Sequence, residues 1–145
     1  MDNDLEYKLI KPDKSLGDFV ESIWLLQSHS DNNKDVIVLP DGRIDLVFYK
    51  STTKSIEIIL VGLGTQYEQA TITPKNLAYA ISFKPLATEY IFHENIANLW
   101  DTAKNWTPYL QHVFQECKAN PNTILYHQPV YNGSVPDKWY SERLF

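Results

Sequence analysis

The sequence predicts a mostly β protein, in which an antiparallel β-barrel or jelly roll is followed by C-terminal α-helices. Several short runs with strand composition succeed one another between residues 35 and 83. Their connections are short and rich in turn-forming residues, and no helical pattern separates them, which favours antiparallel pairing. At Pro85 the apolar residues change to a helical spacing. Because 145 residues suffice for one domain with a core, a single domain over 1–145 is expected.

The strands of this prediction lie in a β-barrel region that covers residues 1–84. Residues 1–15 are polar and contain a proline, so we expect them to form an arm that joins the domain late. The predicted strands are Asp35 to Leu39, Arg43 to Lys50, Ser55 to Val61, Glu68 to Ile72 and Leu77 to Phe83.

The turn between the first two of these strands has the strongest local signal. Pro40 suits the first central position of a type I turn, and Gly42 suits the left-handed residue that closes it. A β-branched run precedes the turn, and alternating Ile44, Leu46 and Phe48 follow it. This pattern predicts a β-hairpin.

The predicted helical segment covers residues 85–120, and an irregular tail covers 121–145. Thr107 and Pro108 suit the N-cap and the first position of a helix that ends at Asn120-Pro121. One face of this helix is apolar and is expected to pack on the barrel or on a partner subunit. The residues of this face are Leu110, Val113, Phe114 and Cys117.

Composition and charge exclude several classes of function. The formal net charge is −5 and no stretch concentrates Lys and Arg, which argues against nucleic-acid binding by this chain alone. The single cysteine excludes an intramolecular disulfide. The acidic N-terminus lacks the apolar segment of a signal peptide, and no apolar run approaches the roughly 20 residues that cross a bilayer. We therefore expect a cytoplasmic protein without a membrane partner.

The sequence also lacks the usual patterns of catalytic chemistry. Its four histidines are isolated from one another, so no metal or other cofactor is expected. There is no Gly-x-Ser-x-Gly nucleophile motif, and Cys117 lies on the apolar face of a predicted helix, which suggests an inert thiol. The Gly62-Leu63-Gly64 stretch lacks the remaining features of a phosphate-binding loop and predicts a tight turn. We therefore expect no enzymatic activity.

Asp45 stands out because it is an acid within a strongly apolar strand. It shares a strand face with Arg43, a further ligand-binding candidate, and lies opposite the face that carries Ile44 and Leu46. That face either is solvated, with Asp45 in a structural hydrogen bond, or borders a cavity in which the carboxylate contacts a ligand; the structural role is favoured. Aromatic residues on predicted strands are further ligand-binding candidates, although core packing explains each one individually. They are Trp24, Phe48, Tyr79 and Phe83.

Four segments together resemble a known family. "LPDGRIDLVF" (Leu39 to Phe48) resembles the hallmark of the N-terminal sensor domain of AraC-type bacterial transcription regulators. "LGDFVESIWLLQ", "LVGLGTQ" and "YAISFKPLATEYIFHENIANLWD" resemble other segments of that domain, in the same order. The resemblance covers roughly residues 8 to 102. It implies a cupin-like barrel whose following helices mediate dimerisation.

The resemblance implies that this chain senses an unidentified small-molecule effector and forms a homodimer. Regulators of this type bind DNA through two helix-turn-helix units, which would need on the order of a hundred further basic, helical residues. Any contact with DNA is therefore expected only through a separate or missing domain. Two other functions remain open. One is a stand-alone, metal-independent cupin-like enzyme with Asp45 or Glu57 as base, and the other is a protein-interaction module with a filled barrel.

Overall fold

The fold is known from a computed structural model, which describes residues 4–52, 55–119, 123–127 and 139–143. Its main element is a six-stranded sheet in the order β1-β2-β7-β4-β5-β8, and β3-β6 and β9-β10 form two-stranded sheets. Every pairing between these strands in the described part of the chain is antiparallel, which confirms the predicted mostly antiparallel β class. The strands are β1 (Leu5–Ile10), β2 (Val20–Ser28), β3 (Lys34–Val38), β4 (Ile44–Lys50), β5 (Glu57–Val61), β6 (Glu68–Ile72), β7 (Leu77–Phe83), β8 (Ala103–Asn105), β9 (Thr123–His127) and β10 (Trp139–Arg143).

The helical segments are short except for the last one. They are α1 (Ala87–Tyr90), α2 (Thr107–Ala119) and two 3₁₀ turns at Lys14–Leu16 and Ile96–Leu99. No helix among the described residues is long and apolar enough to cross a membrane.

One face of the large sheet carries the hydrophobic core. Alternate residues of its central strands, such as Ile44 and Leu60, are fully buried there. The chain between β7 and α2 covers this face through Ala87, Phe92 and Leu99. The core therefore lies between the sheet and the segment that follows β7.

The other face of the large sheet meets the small sheet β3-β6. The Tyr49 hydroxyl, at the end of β4, hydrogen-bonds the Thr73 hydroxyl just after β6 at 2.9 Å. Ala78 and Ala80 of β7 point to this same face by strand alternation, and both are buried. We call it the inner face.

The predicted hairpin between β3 and β4 is wrong, although Gly42 is left-handed as expected. Gly42 has a positive φ of 73°, and the Arg43 N–H donates to the Asp41 carboxylate, 3.0 Å away. However, β3 pairs with β6, and β4 pairs with β5 and β7. Turn chemistry is local, whereas burial of the flanking strands decides their partners. The Pro40–Gly42 turn therefore carries the chain from one sheet to the other.

Two regions predicted to lack regular structure contain strands. The polar arm includes β1, which pairs along its whole length with β2. Leu5, Tyr7 and Leu9 alternate with polar residues there, a strand period masked by the polar composition of residues 1–15. The predicted irregular tail contains β9 and β10, which pair with each other. The β9 sequence is rich in β-branched and aromatic residues but too short to show a period.

The predicted helix after residue 106 is present as α2, but Thr107 has a different role from the expected N-cap. Its hydroxyl oxygen accepts a hydrogen bond from the Ile58 N–H of β5 at 2.8 Å. The Asn105 side chain accepts from the Thr107 N–H instead. The side chains of the predicted apolar face lie outside what the structure describes, so its packing role stays a prediction; they are those of Leu110, Val113, Phe114 and Cys117.

Candidate functional site

A cleft of about 140 Å³ opens at one end of the inner face, where the large and small sheets meet. Residues 38–41, Arg43 and Asp45 form one side of it, between the end of β3 and the start of β4. Residues 61–68 and 101–103 form the rest of its wall. Its charged residues are Asp41, Arg43, Asp45, Glu68 and Asp101, and Gln66 and Thr102 add uncharged polar groups.

Asp45 is held in this cleft by a hydrogen bond from the neighbouring strand. It lies directly opposite Ser82 of β7 and Val61 of β5 in the sheet register. The Ser82 hydroxyl donates to Oδ1 of Asp45 over 2.5 Å. Burial raises the pKa of Asp45 above its ordinary value, and this effect outweighs the opposing effect of the Ser82 hydrogen bond. Asp45 is thus both a structural acceptor and part of the cleft wall.

Ser82 also connects the cleft to Trp24. The Trp24 indole Nε1–H donates to the Ser82 hydroxyl oxygen at 3.1 Å. A serine hydroxyl can accept and donate at the same time, so Trp24, Ser82 and Asp45 form a continuous chain of hydrogen bonds across three adjacent strands. Ser82 itself is buried. A change in the charge or position of Asp45 would therefore be transmitted to the indole of Trp24.

Arg43 lines the cleft, but its guanidinium pairs with a residue outside the cleft lining. Its guanidinium Nη2 lies 3.3 Å from a carboxylate oxygen of Glu21, at the start of β2. The pairing of Arg43 with Asp45 that a solvated strand face would favour is not the pairing observed. With four carboxylates and one engaged guanidinium, the charge of the wall is predominantly negative, which disfavours anions.

The opposite wall depends on a very close approach between two segments of chain. Gly62 follows β5, and a Cβ added to it would lie 1.7 Å from the Leu99 carbonyl oxygen. Backbone hydrogen bonds join Gly62 to Thr102 and Leu63 to Leu99 and Asp101. Because Gly62 has no Cβ, residues 99–102 can pair with the chain beside the cleft. The predicted tight turn therefore also permits this close approach.

Asp101 fixes the rim of the same wall. Its backbone is left-handed, with φ of 46°, and its carboxylate accepts hydrogen bonds from the N–H and hydroxyl of Thr65 at 2.7 and 2.6 Å. These hydrogen bonds lower the pKa of Asp101. Asp101 is thus ionised while it holds the loop that carries Gln66.

The structure brings only some of the sequence-predicted site residues together. Arg43 and Asp45 line the cleft, and Trp24 reaches it through Ser82. The remaining three aromatic residues lie on the opposite, core-facing side of the sheet. The rings of Phe48 and Tyr79 lie tilted to each other there, with centroids 6.1 Å apart, and Phe83 packs edge-on against Phe92. Alternation along β4 and β7 accounts for this separation, because Phe48 and Asp45 are three residues apart.

Sequence reasoning did not identify several residues of the site. Ser82 carried no signal except that it stands directly opposite Asp45, which depends on the β4–β7 register. Gln66 and Glu68 come from one segment and Asp101 from another, and both segments have ordinary loop or strand composition. Among the described residues, no three His, Cys, Asp or Glu side chains are arranged to hold a metal ion.

The fold and cleft define a small antiparallel β protein with an acidic cleft between two sheets. The chain belongs to the family described as "Domain of unknown function (DUF6597)", whose model matches residues 8–105. That range contains the whole lining of the cleft and ends with β8. No curated protein and no solved structure matches the chain.

Proposed function

We propose that this chain is the ligand-sensing and oligomerising domain of an AraC-type transcription regulator, with the acidic cleft as its effector site. One observation carries the proposal: the segment with the strongest resemblance to those sensor domains is also the segment that builds the cleft. Leu39, Pro40, Asp41, Arg43 and Asp45 all belong to the "LPDGRIDLVF" stretch and all line the cleft.

The arrangement of the two sheets supports this proposal. A small sheet packed against the inner face of a large one is what a cupin-like barrel would require, and the cleft lies where these two sheets meet. Ligand sites are concave and combine apolar walls with a few polar groups that fix orientation, and Val38, Leu39 and Val61 supply apolar surface beside Asp45. The cleft is smaller than the roughly 300 Å³ of a drug-sized site. It therefore suits a small effector or one end of a larger one.

In this proposal the effector hydrogen-bonds Asp45 and biases one of two assembly states. A ligand shifts such an equilibrium only through different affinities for the two states. The helix α2 begins directly after β8 and bonds β5 through Thr107, so it would carry a change at the cleft toward a partner subunit. The homodimer and the role of α2 are parts of the same proposal.

The first test combines light scattering with a thermal-shift screen of neutral and cationic small molecules. We expect a dimer, and at least one compound that raises the Tm because it binds the folded state selectively. For that compound, Asp45→Asn should raise the Kd by about tenfold or more, since a hydrogen bond to a charged group contributes about 1.5–3 kcal/mol. Asp13→Asn, outside the cleft, is the matched control and should leave the Kd unchanged.

Two results would overturn the proposal. One is a monomer whose Tm no compound changes. The other is a compound that binds equally well to the native protein and to Asp45→Asn, which would place the binding site elsewhere.

A metal-independent enzyme is a second proposal, favoured by one observation. The raised pKa of Asp45 in a cleft is typical of a general base or acid. Glu57, the other carboxylate considered, lies opposite Tyr49 and does not line the cleft. Turnover of a bound compound, abolished by Asp45→Asn and retained in Asp13→Asn, would favour the enzyme over the sensor.

A further inference from the structure

A second polar cluster lies on the inner face, at the end of the sheet farthest from the cleft. Three buried side-chain oxygens there have no hydrogen-bond partner among the described residues: Ser28 Oγ, Ser51 Oγ and Asn76 Oδ1. Ser28 is only 2% exposed and Asn76 only 3%. Burial of a polar atom without a partner is costly, so such atoms usually mark a bound hydrogen-bonding group.

The three residues form one row across three adjacent strands. In the register of the sheet, Leu77 lies opposite Gln27 of β2 and Lys50 of β4. The next residues in this register place Asn76 between Ser28 and Ser51. The Ser28 N–H donates a hydrogen bond to the Asn76 carbonyl oxygen at 2.8 Å. Strand alternation places this row on the same face as Tyr49 and Ala78.

The spacing of the row fits bridging groups better than direct contacts. Adjacent strands are about 4.8 Å apart, and none of these three oxygens has a hydrogen-bond partner in the part of the chain that the structure describes, so neighbouring side chains of this row do not bond each other. One oxygen atom placed between two such side chains can bond both. The amide oxygen of Asn76 can accept two hydrogen bonds, one from each side, and each serine hydroxyl can donate or accept one.

The chemistry of the row selects neutral groups. It consists of two hydroxyls and an amide, with no charged side chain to compensate a buried ion. We propose that Ser28, Asn76 and Ser51 bind two neutral hydroxyl groups, one between each serine and Asn76. Two water molecules or the hydroxyls of one small polyol supply the same chemistry.

This site is independent of the acidic cleft. Six residues along β4 separate Ser51 from Asp45, about 20 Å at 3.3 Å per residue. Failure of the effector proposal at Asp45 would leave the inference about this row unaffected.

The test is nuclear magnetic resonance on the folded protein, alone and with glycerol or erythritol. If water occupies the row, amide protons at residues 28, 51 and 76 show long-lived nuclear Overhauser contacts with water. Ser28→Ala then removes the contact at residue 28 and preserves the one beside Ser51, and Ser51→Ala does the reverse. The exposed Ser55→Ala is the matched control and changes neither contact.

If a polyol occupies the row, its addition shifts the resonances of residues 28, 51 and 76. Ser28→Ala or Ser51→Ala then weakens its binding by up to about tenfold, the effect of losing one hydrogen bond. The proposal is overturned if neither water nor polyol contacts the row. It is also overturned if the alanine variants leave every contact unchanged.

Discussion

At the scale of the residue, the position of Asp45 makes its ionisation unfavourable for folding. Its pKa is raised in the folded protein, mainly by burial, so the folded state binds the proton more tightly than the unfolded chain does. Below the unfolded pKa, near pH 4, Asp45 therefore costs no stability. As the pH rises through the folded-state pKa, the ionised carboxylate lowers the free energy of unfolding.

We predict that Asp45→Asn raises the Tm by a few degrees at neutral pH. Asparagine still accepts the Ser82 hydrogen bond but carries no charge, and the gain should vanish as the pH falls below about 4. Thermal denaturation across pH measures this difference. Asp13→Asn should instead lower the Tm at neutral pH. Hydrogen bonds from Ser15 lower the pKa of Asp13, so the folded state favours its ionised form. A lower Tm for Asp45→Asn at neutral pH would contradict the account.

The site residues differ in how far the sequence could predict them. Asp45 could be predicted because an acid within an apolar strand is a local anomaly, and Arg43 because it shares that strand face. Ser82 was not, since its importance depends on the register between strands that are 37 residues apart. Phe48 and Tyr79 were assigned to the ligand because aromatic residues suit both a core and a binding site. The strand face that an aromatic residue occupies decides between a core role and a binding role. That face is set by which surfaces the folded chain buries.

At the scale of the element, the close approach at Gly62 holds the cleft wall together. We predict that Gly62→Ala lowers the free energy of unfolding by about 3 kcal/mol or more, because the new Cβ would collide with backbone atoms of Leu99. Gly64→Ala is the matched control. Its Cβ would lie 3.7 Å from the nearest atom, an ordinary contact, so its effect should be small.

Urea denaturation of the two variants tests whether the close approach at Gly62 holds residues 99–102 against the sheet. Equal midpoints for Gly62→Ala and Gly64→Ala would mean that residues 99–102 can move away from the sheet without cost. In that case they would not form a fixed wall of the cleft.

Strand positions were predicted better than strand partners. The runs Glu68 to Ile72 and Leu77 to Phe83 coincide with β6 and β7, because composition and turn residues delimit them locally. The pairing of β3 with β6 instead of β4 could not be predicted, since it depends on which surfaces the whole chain buries. The short strand β8 was missed because three residues show no period.

At the scale of the whole molecule, a buried ion pair ties the covering segment to the large sheet. Glu94 follows α1, and its carboxylate contacts the Lys104 ammonium of β8 at 3.0 and 3.2 Å. The Glu94 side chain is 2% exposed and that of Lys104 14%. Both charges have therefore lost most of their hydration, and each depends on the other.

We predict that Glu94→Gln lowers the free energy of unfolding by about 3 kcal/mol, because it leaves the Lys104 charge buried without its partner. The double variant Glu94→Leu with Lys104→Met should recover most of that loss, since neither charge then needs hydration.

Asp31→Asn, which breaks the exposed pair with Lys75, should change little. Urea denaturation measures all three. A double variant that is less stable than Glu94→Gln would contradict this prediction. It would show that the ion pair holds the covering segment on the large sheet in a specific geometry that apolar packing cannot replace.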